Sequence, residues 1–305
     1  MLRLIVRRLA LGLLVALTVM TLAFMLTRLS GDLAISIAGP QATAADVEII
    51  RKAYGLDRPL TLQFFSWVGR ALVGDFGESY FFKDQVASLI ARRMPITLTL
   101  GLTGLSLALI ISIPLGILAA LRENTLTDRA VTIFTMIGQA VPSFWLALIL
   151  MIVLGLQLGI LPISGTGTWQ HYVMPGIVLA FTAIPALTRL TRSGMIDAMA
   201  SDYIRTARAK GLSRARIIFK HALRNAAIPV VSVAAVQLGF MLGGSIVIET
   251  VFALHGVGYL GWESIAKNDF PVVQAVVLVL ATIYIGLTLL ADILNALLDP
   301  RLRGG

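Results

Sequence analysis

The chain has 305 residues, of which 57% are hydrophobic and 13% are charged, and its mean hydropathy is +0.88. Soluble domains carry about 25% charged residues, so this composition predicts an integral membrane protein. The sequence contains no cysteine, which excludes disulfides, thiol nucleophiles and cysteine metal ligands. A net charge of +9 is accounted for by basic loops on one side of a membrane, and we therefore expect no nucleic-acid partner.

A membrane-spanning helix needs about 20 consecutive apolar residues. Six stretches meet this requirement and predict an all-α membrane protein with both termini on one side. The predicted spans are Leu9 to Leu26, Ile96 to Leu121, Ala130 to about Leu156, Val173 to Thr188, Asn225 to Ile248, and Phe270 to Ala291.

The first predicted span lies within an N-terminal unit, residues 1–29. A cleaved signal peptide begins in the same way, with basic residues before an apolar run. Here the apolar run is longer than a signal core, and no small-x-small site follows it directly. An uncleaved anchor is therefore the favoured interpretation.

Residues 30–95 are too polar to insert and are predicted to form an external helical segment. Thr43 is placed to cap a short helix, and Gly55 is placed to end it. An amphipathic run follows, with Phe64, Phe65, Trp67, Val68 and Leu72 at helical spacing. We expect this segment to pack on the bundle or on a docked partner, because it is short and rich in exposed aromatic residues.

A proline interrupts the third predicted span. Pro142 removes a backbone hydrogen bond, so a kink is expected there. Such a kink is as often structural as it is part of a gate. Pro142, Ser143 and Phe144 are therefore candidate residues of a translocation pathway.

The sequence DYIRTARAKGLSRARIIFKHALRNAAIPV, residues 202–230, is too basic to cross a membrane, since each Lys or Arg costs up to ~3 kcal/mol at the centre of a span. Ser201 or Asp202 is placed to cap a helix, and Gly211 is placed to end it in the left-handed conformation. Ser213 is placed to cap a second helix. The pattern predicts helix, glycine break and helix, outside the bilayer core.

Two functions remain open for this segment on physical grounds. A basic linker on anionic lipid headgroups would gain ~1 kcal/mol for each basic residue. A docking element for a soluble partner would benefit from the small residues Ala207 and Ala209 beside a fixed glycine, since small residues allow close helix approach.

Two acidic residues lie near the ends of predicted spans, where a functional role is considered by default. Glu249 follows Gly243 and Gly244, which allow close packing or a helix break, and these three are candidates for the outer mouth of a pathway. Asp292 is expected to lie at the opposite interface, paired with a basic residue such as Arg301 or Arg303.

Basic residues also predict the orientation. Sixteen Lys and Arg residues fall at the termini and in the loops after the second and fourth spans. The opposite side has Lys267 in its short loops and seven more in the long segment, which counts less because of its length. The side with sixteen is predicted to be cytoplasmic. Arg92 and Arg93, just outside the second span, oppose this orientation but are too few to reverse it.

The segment "DYIRTARAKGL" resembles the cytoplasmic EAA loop of ATP-binding-cassette (ABC) importer permeases, in the dipeptide, oligopeptide and nickel branch. The wider pattern is Glu-Ala-Ala, three residues, then Gly. The corresponding residues here are Arg205, Thr206, Ala207 and Gly211, so the acidic residue is absent, and the peptide branch is similar in this respect. Further stretches resemble the branch in the same order: "GLDRP" at 55–59, "GDFGES" at 74–79, "RRMPITL" at 92–98, "VPSFWLAL" at 141–148, "LRNAAIPV" at 223–230 and "GGSIVIETVF" at 243–252.

The chain departs from the branch locally. Ser30, Gly31, Asp32 and Leu33 stand where members usually have Pro-Gly-Asp-Pro, and His255 stands where proline is usual. Both changes fall near the predicted outer face. They affect the expected shape of the loops and leave the coupling loop unchanged.

The resemblance implies a permease core over residues 96–305, with the EAA-type loop at 192–224 between the fourth and fifth spans. It also implies that the loop's first helix couples to an ATPase. The coupling residues carried over are Asp202, Tyr203, Arg205, Thr206, Ala207, Arg208, Ala209, Lys210 and Gly211. The implied partners are a second related permease, which is usually a different protein, two ATPase subunits that hold ATP and Mg, a periplasmic binding protein and membrane lipids. The implied location is a bacterial cytoplasmic membrane.

The chain lacks the sequences that ATP hydrolysis and other catalysis would need. There is no G-x-x-x-x-G-K-[ST] loop, no H-E-x-x-H pair and no G-x-S-x-G elbow. His171, His221 and His255 are far apart in sequence. We therefore expect no catalytic, cofactor or metal site in this chain; a membrane enzyme and an ATP-independent channel are the alternatives from other classes. Small peptides are the favoured substrate, followed by glutathione-like compounds and chelated nickel.

Overall fold

The computed structural model describes residues 2–29, 31–39 and 41–298. Over these residues the chain is almost entirely helical and forms no β-strand. The α-helices are α1 (Leu2–Leu29), α2 (Leu33–Ala38), α3 (Ala44–Ala53), α4 (Leu60–Leu72), α5 (Val86–Leu121), α6 (Leu126–Ala140), α7 (Ser143–Leu150), α8 (Val173–Ala200), α9 (Asp202–Ala209), α10 (Arg214–Arg216), α11 (Leu223–Gly244), α12 (Ile246–Val251), α13 (Val257–Ala266) and α14 (Phe270–Leu298).

Five helices of the described chain are long and apolar enough to cross a membrane: Arg8–Leu29, Val86–Leu121, Trp169–Ala200, Arg214–Gly244 and Phe270–Leu297. A sixth candidate is the pair Leu126–Ala140 and Ser143–Gln157, whose halves are bent by 99°. The proline in the third predicted span therefore breaks the helix instead of kinking it.

α5 and α8 pack side by side and run parallel. Gly104 lies against Leu179, and further along both helices Gly116 lies against Thr191. An added Cβ at Gly116 would come within 2.5 Å of the Thr191 Cβ, so the two backbones are close enough to require glycine there. Because parallel helices start at the same end, the chain between them must return across the bundle. The bent pair α6–α7 makes that crossing.

The other long helices complete the bundle. α14 runs antiparallel to α11, with Gly239 against Tyr284 near one end and a hydrogen bond between Ser232 and Asn295 near the other. α1 runs antiparallel to α14. Its first part pairs Arg8 with Asp292 at 3.0 Å, and the Gln274 Nε2 donates to the Thr27 Oγ1 at 2.6 Å near its last turn.

These directions define two ends of the bundle. The α9 end holds α9, the start of α1 and the last turns of α5, α8 and α14. The α13 end holds α13, the start of α5 and α14, and the residues between α1 and α5, which we call the α2–α4 segment. The described termini thus lie at the same end as α9. Asp292 pairs there with Arg8; Arg301 and Arg303, its predicted partners, lie outside the described residues.

Three of the predicted spans need correction. The fourth was predicted to end at Thr188, whereas α8 continues to Ala200. The second was predicted to begin at Ile96, whereas α5 begins at Val86. Its early arginines are accommodated because Arg92 pairs with Asp84, and Arg93 donates to the His255 carbonyl at 3.0 Å. The fifth was predicted as Asn225 to Ile248, whereas the helix runs from Arg214 to Gly244. The predicted second basic helix is therefore the first part of this span, and it continues through a π-helical stretch, Ile217–Ala222.

The α2–α4 segment packs on the bundle, as expected for its size. Thr43 and Asp46 form a capping box at the start of α3, and Gly55 follows the helix with φ +63°, so both predicted helix signals are confirmed. The Arg51 guanidinium lies 2.5 Å from Asp32 and holds the pKa of that carboxyl below its usual value.

A buried carboxylate fastens the same segment to the bundle. Asp269, just before α14, is fully buried and accepts hydrogen bonds from the Ser79 hydroxyl at 2.5 Å and from the backbone N–H of Tyr80 at 3.1 Å. The N–H of Phe81 also donates to it, at 3.2 Å. The loop before α5 is thereby fixed at the α13 end.

Candidate functional site

α9 lies across the α9 end of the bundle and is held by one buried face. Ile204 and Ala207, three residues apart, are 0% and 6% exposed. They pack in one cluster with Ile117 of α5, Met195 of α8 and Ile217. The helix therefore rests on the ends of several spanning helices.

Gly211 ends α9 in the left-handed conformation, with φ +71°. Its N–H donates to the Arg208 carbonyl at 2.9 Å, and the Leu212 N–H donates to the Ala207 carbonyl at 3.3 Å. These two bonds form a Schellman motif. Ser201 and Ser213 occupy the cap positions of α9 and α10, although neither side chain makes a capping hydrogen bond. The predicted helix, glycine break and helix are confirmed.

Eight of the nine predicted coupling residues are exposed: Asp202, Tyr203, Arg205, Thr206, Arg208, Ala209, Lys210 and Gly211. Ala207 is buried in the chain's own core, so it sets how closely α9 approaches the bundle. The Asn225 Nδ2 donates to the Tyr203 hydroxyl at 2.8 Å and ties α9 to α11. The role of these residues in coupling stays a prediction.

The surface around α9 is strongly cationic. Seven basic residues of this segment are exposed: Arg205, Arg208, Lys210, Arg214, Arg216, Lys220 and Arg224. Within the described chain, one of them forms an ion pair, between Arg205 and Asp202. This end is therefore electrostatically suited to an acidic partner surface or to anionic headgroups.

A buried ion pair near α9 was missed by the sequence analysis. Arg192 of α8 binds Asp128 of α6 through two hydrogen bonds of 2.6 and 2.7 Å, and Asp128 is 5% exposed. The Asn124 N–H also donates to Asp128, at 3.0 Å. The sequence near Asp128 did contain one signal, since Thr125 and Asp128 have the spacing of a capping box at the start of a helix. That signal is local and does not identify Arg192 as the partner of Asp128.

The first group of predicted pathway residues lies at the break between α6 and α7. Pro142 immediately precedes α7, and the chain turns there because proline has no N–H to continue the helix. Phe144 is 52% exposed on the surface of this chain. α7 packs against α12, the helix that contains Glu249 of the second group of predicted pathway residues.

Gly243 and Gly244 end α11 and are exposed, with open space where a Cβ would be. Of the two roles considered for these glycines, the structure therefore supports the helix break. They do not mediate close packing within this chain. Glu249, in α12, is fully buried. Whether these residues line a pathway stays a prediction.

Glu249 joins three helices through its carboxylate. Its Oε1 accepts from the hydroxyls of Thr97 at 2.7 Å and Ser245 at 2.8 Å, and its Oε2 accepts from the N–H of Tyr259 at 2.7 Å. The Thr97 Oγ1 in turn accepts from the Val257 N–H at 2.8 Å. Glu249 and Thr97 thus accept from two of the otherwise unpaired N–H groups in the first turn of α13. A Cβ at Gly256 would come within 2.4 Å of the Thr97 Oγ1, so glycine is required there.

The described residues contain no group of three or more His, Cys, Asp or Glu side chains that could hold a metal ion. The candidate functional site therefore has three parts: the surface helix α9, the broken span α6–α7 and the hydrogen-bond network of the buried Glu249.

Two family descriptions match the chain. Residues 112–304 match the binding-protein-dependent transport system inner membrane component, and residues 1–101 match the N-terminal part of the same class of membrane component. The glutathione transport system permease protein GsiC of Escherichia coli strain K12 is 41% identical over 275 residues, which cover 90% of each chain. The protein of the same name from Salmonella typhi is equally similar.

The fold also resembles a solved structure. The inward-facing MetNI methionine ABC transporter, in its CY5 native crystal form, aligns with a TM-score of 0.57 at 18% sequence identity. The match covers 69% of this chain and 96% of the other. The family matches bear out the resemblance found in the sequence, and the likeness to MetNI shows a shared fold. The chain belongs to the binding-protein-dependent inner-membrane components, the permease subunits of ABC importers, in which ATP hydrolysis resides in separate subunits.

Proposed function

We propose that α9 is the element through which an ATPase subunit drives this permease. The observation that carries the proposal is that α9 exposes a basic outer face while Ile204 and Ala207 bury its inner face against the spanning helices. ATP and Mg are held by two ATPase subunits. Closure of that pair displaces α9, and the displacement reorients the bundle between inward-open and outward-open states.

The proposed assembly contains a second permease, different in sequence, and a periplasmic binding protein. The α9 end faces the cytoplasm, because it carries the concentrated basic residues. The α2–α4 segment then faces the binding protein. This chain supplies half of the translocation pathway, with the break at Pro142 and the end of α11 as its candidate lining.

The proposed substrate is a small peptide or peptide-like solute. Glutathione, itself a modified tripeptide, is the first compound to test because relatives at 41% identity carry that name. Chelated nickel remains the other alternative substrate.

The test is transport by the reconstituted complex. The chain is purified with its co-purifying subunits, placed in proteoliposomes and supplied with the binding protein and labelled glutathione. We expect uptake with ATP, no uptake with a non-hydrolysable analogue, and competition by unlabelled peptides if the pathway accepts them. Uptake that proceeds equally well without ATP would instead establish the channel alternative.

A further inference from the structure

A cavity of about 170 Å³ lies where the end of α1, the helix α4 and the start of α14 meet, at the α13 end. By this measure one water molecule needs about 10–15 Å³, so the space accepts a group much larger than water. Three arginines line it: Arg28 on α1, Arg58 just before α4, and Arg70 on α4. One acidic residue, Glu78, also lines it.

The cavity has unmet polar groups. Among the described residues no carboxylate lies within 4.0 Å of the three guanidinium groups. The Arg28 Nε is buried without a hydrogen-bond partner, and its guanidinium is held over the Phe24 ring at 4.8 Å. Burial raises the pKa of Tyr80, another lining residue, to about 12, so its hydroxyl remains protonated at neutral pH. The cavity therefore offers cations and a donor to an anion.

The cavity lies at the level of lipid headgroups. The span Arg8–Leu29 has 22 residues, which at 1.5 Å per residue is about 33 Å, close to the thickness of the hydrocarbon core. Arg8 pairs with Asp292 at its beginning. Arg28, close to its other end, is thus placed at the opposite membrane interface.

The surroundings of the cavity are suited to acyl chains. α4 packs Phe64 and Trp67 on Phe24 of α1, with ring centroids 5.3 and 6.2 Å from the Phe24 ring. Its other side exposes apolar residues, among them Leu62 at 58% and Phe65 at 69%. Large exposed apolar side chains on a helix at this depth are typical of an interfacial helix partly immersed in lipid.

We propose that this cavity binds the phosphate of a phospholipid headgroup in the leaflet at the α13 end, and that it prefers an anionic lipid. Arginine suits this role because its guanidinium donates two parallel hydrogen bonds to phosphate oxygens. The acyl chains lie along the exposed faces of α1 and α4. The bound lipid fills the gap between the α2–α4 segment and the bundle.

Lipid binding is tested by native mass spectrometry of the full chain in detergent, titrated with phosphatidylglycerol after delipidation. Arg28→Gln and Arg58→Gln are each expected to weaken binding about fivefold, from the loss of one charge near phosphate. Lys52→Gln is the matched control, since Lys52 lies on α3 outside the cavity and its side chain is 69% exposed. Arg58 is exposed, so its variant remains informative if Arg28→Gln folds poorly.

Two results would overturn the proposal. Equal phosphatidylglycerol binding by both arginine variants and by the control would mean that the cavity does not hold the lipid. If inorganic phosphate or the tail-free headgroup glycerophosphoglycerol bound as tightly as the lipid, the site would be one for soluble anions. Arg58→Gln must show the loss in lipid affinity for the assignment to stand, and Arg28→Gln must show it too when that variant folds.

Discussion

At the scale of single residues, Gly211 controls how α9 ends. Its φ of +71° lies in the region that costs an L-residue about 1–2 kcal/mol, while the space around its Cα is open. The constraint is therefore on the backbone and not on the volume of the side chain. A substitution here strains the Schellman motif that directs the chain from α9 into α10.

We expect Gly211→Val to insert normally and to lower ATP-driven uptake, because α9 would be displaced from the surface that the ATPase contacts. Ala215→Val is the matched control: it adds an exposed branched side chain to the next helix at ordinary helical angles. The measurement is uptake by the reconstituted complex, with membrane insertion quantified in parallel. Wild-type uptake by Gly211→Val would contradict the coupling role of α9.

Residues with local signals were predictable from sequence, and residues with distant partners were not. Gly211 and Thr43 were identified because a helix stop and a capping box depend on a few neighbours in sequence. Arg192 and Asp128 are 64 positions apart, and Ser79 and Asp269 are 190 positions apart. Nothing near either member of these pairs specifies the other, so tertiary structure was needed to find them.

At the scale of elements, Glu249 determines how α5, α12 and α13 meet. Its two oxygens accept from three donors that belong to different parts of this junction. The sequence indicated an acidic residue near a span end and suggested a pathway role. The contacts add a structural role, since a fully buried carboxylate here caps the start of α13.

We expect Glu249→Gln to destabilise the protein by about 1–3 kcal/mol, because the amide nitrogen cannot accept and leaves a buried donor unpaired. Glu123→Gln, in the exposed loop after α5, is the control. Thermal unfolding of the full chain in detergent checks the difference. Unchanged stability together with lost uptake would assign Glu249 to the pathway instead.

Element boundaries were predicted less well than element existence. α5 starts ten residues before the predicted span. The start was predicted too late because Arg92 and Arg93 are charged and were therefore assigned to a loop. In the structure both arginines lie in the first turns of the helix, and their side chains have polar partners. The basic helix after Ser213 and the span from Asn225 were predicted as separate helices, because the basic residues end at Arg224 and apolar residues follow. The backbone continues through that change in polarity, which marks only where the helix enters the membrane.

At the scale of the whole molecule, the parallel packing of α5 and α8 decides how often the chain crosses the membrane. The bent pair α6–α7 contains a 99° break and by itself could equally be a re-entrant loop. A re-entrant loop would return the chain to the end where α5 stops. α8 starts at the other end, beside the start of α5, so the pair must complete a crossing.

Cysteine labelling tests this topology directly, because the natural chain has no cysteine and each introduced thiol reports alone. Glu123→Cys lies in the exposed loop before α6, Ser164→Cys lies in the exposed loop after α7, and Ser213→Cys marks the α9 end. With a membrane-impermeant maleimide on intact spheroplasts, we expect labelling at position 164 and none at 123 or 213 until the membrane is permeabilised. Labelling of 123 and 164 from the same side would mean that α6–α7 re-enters, and α5 and α8 would then have to be antiparallel.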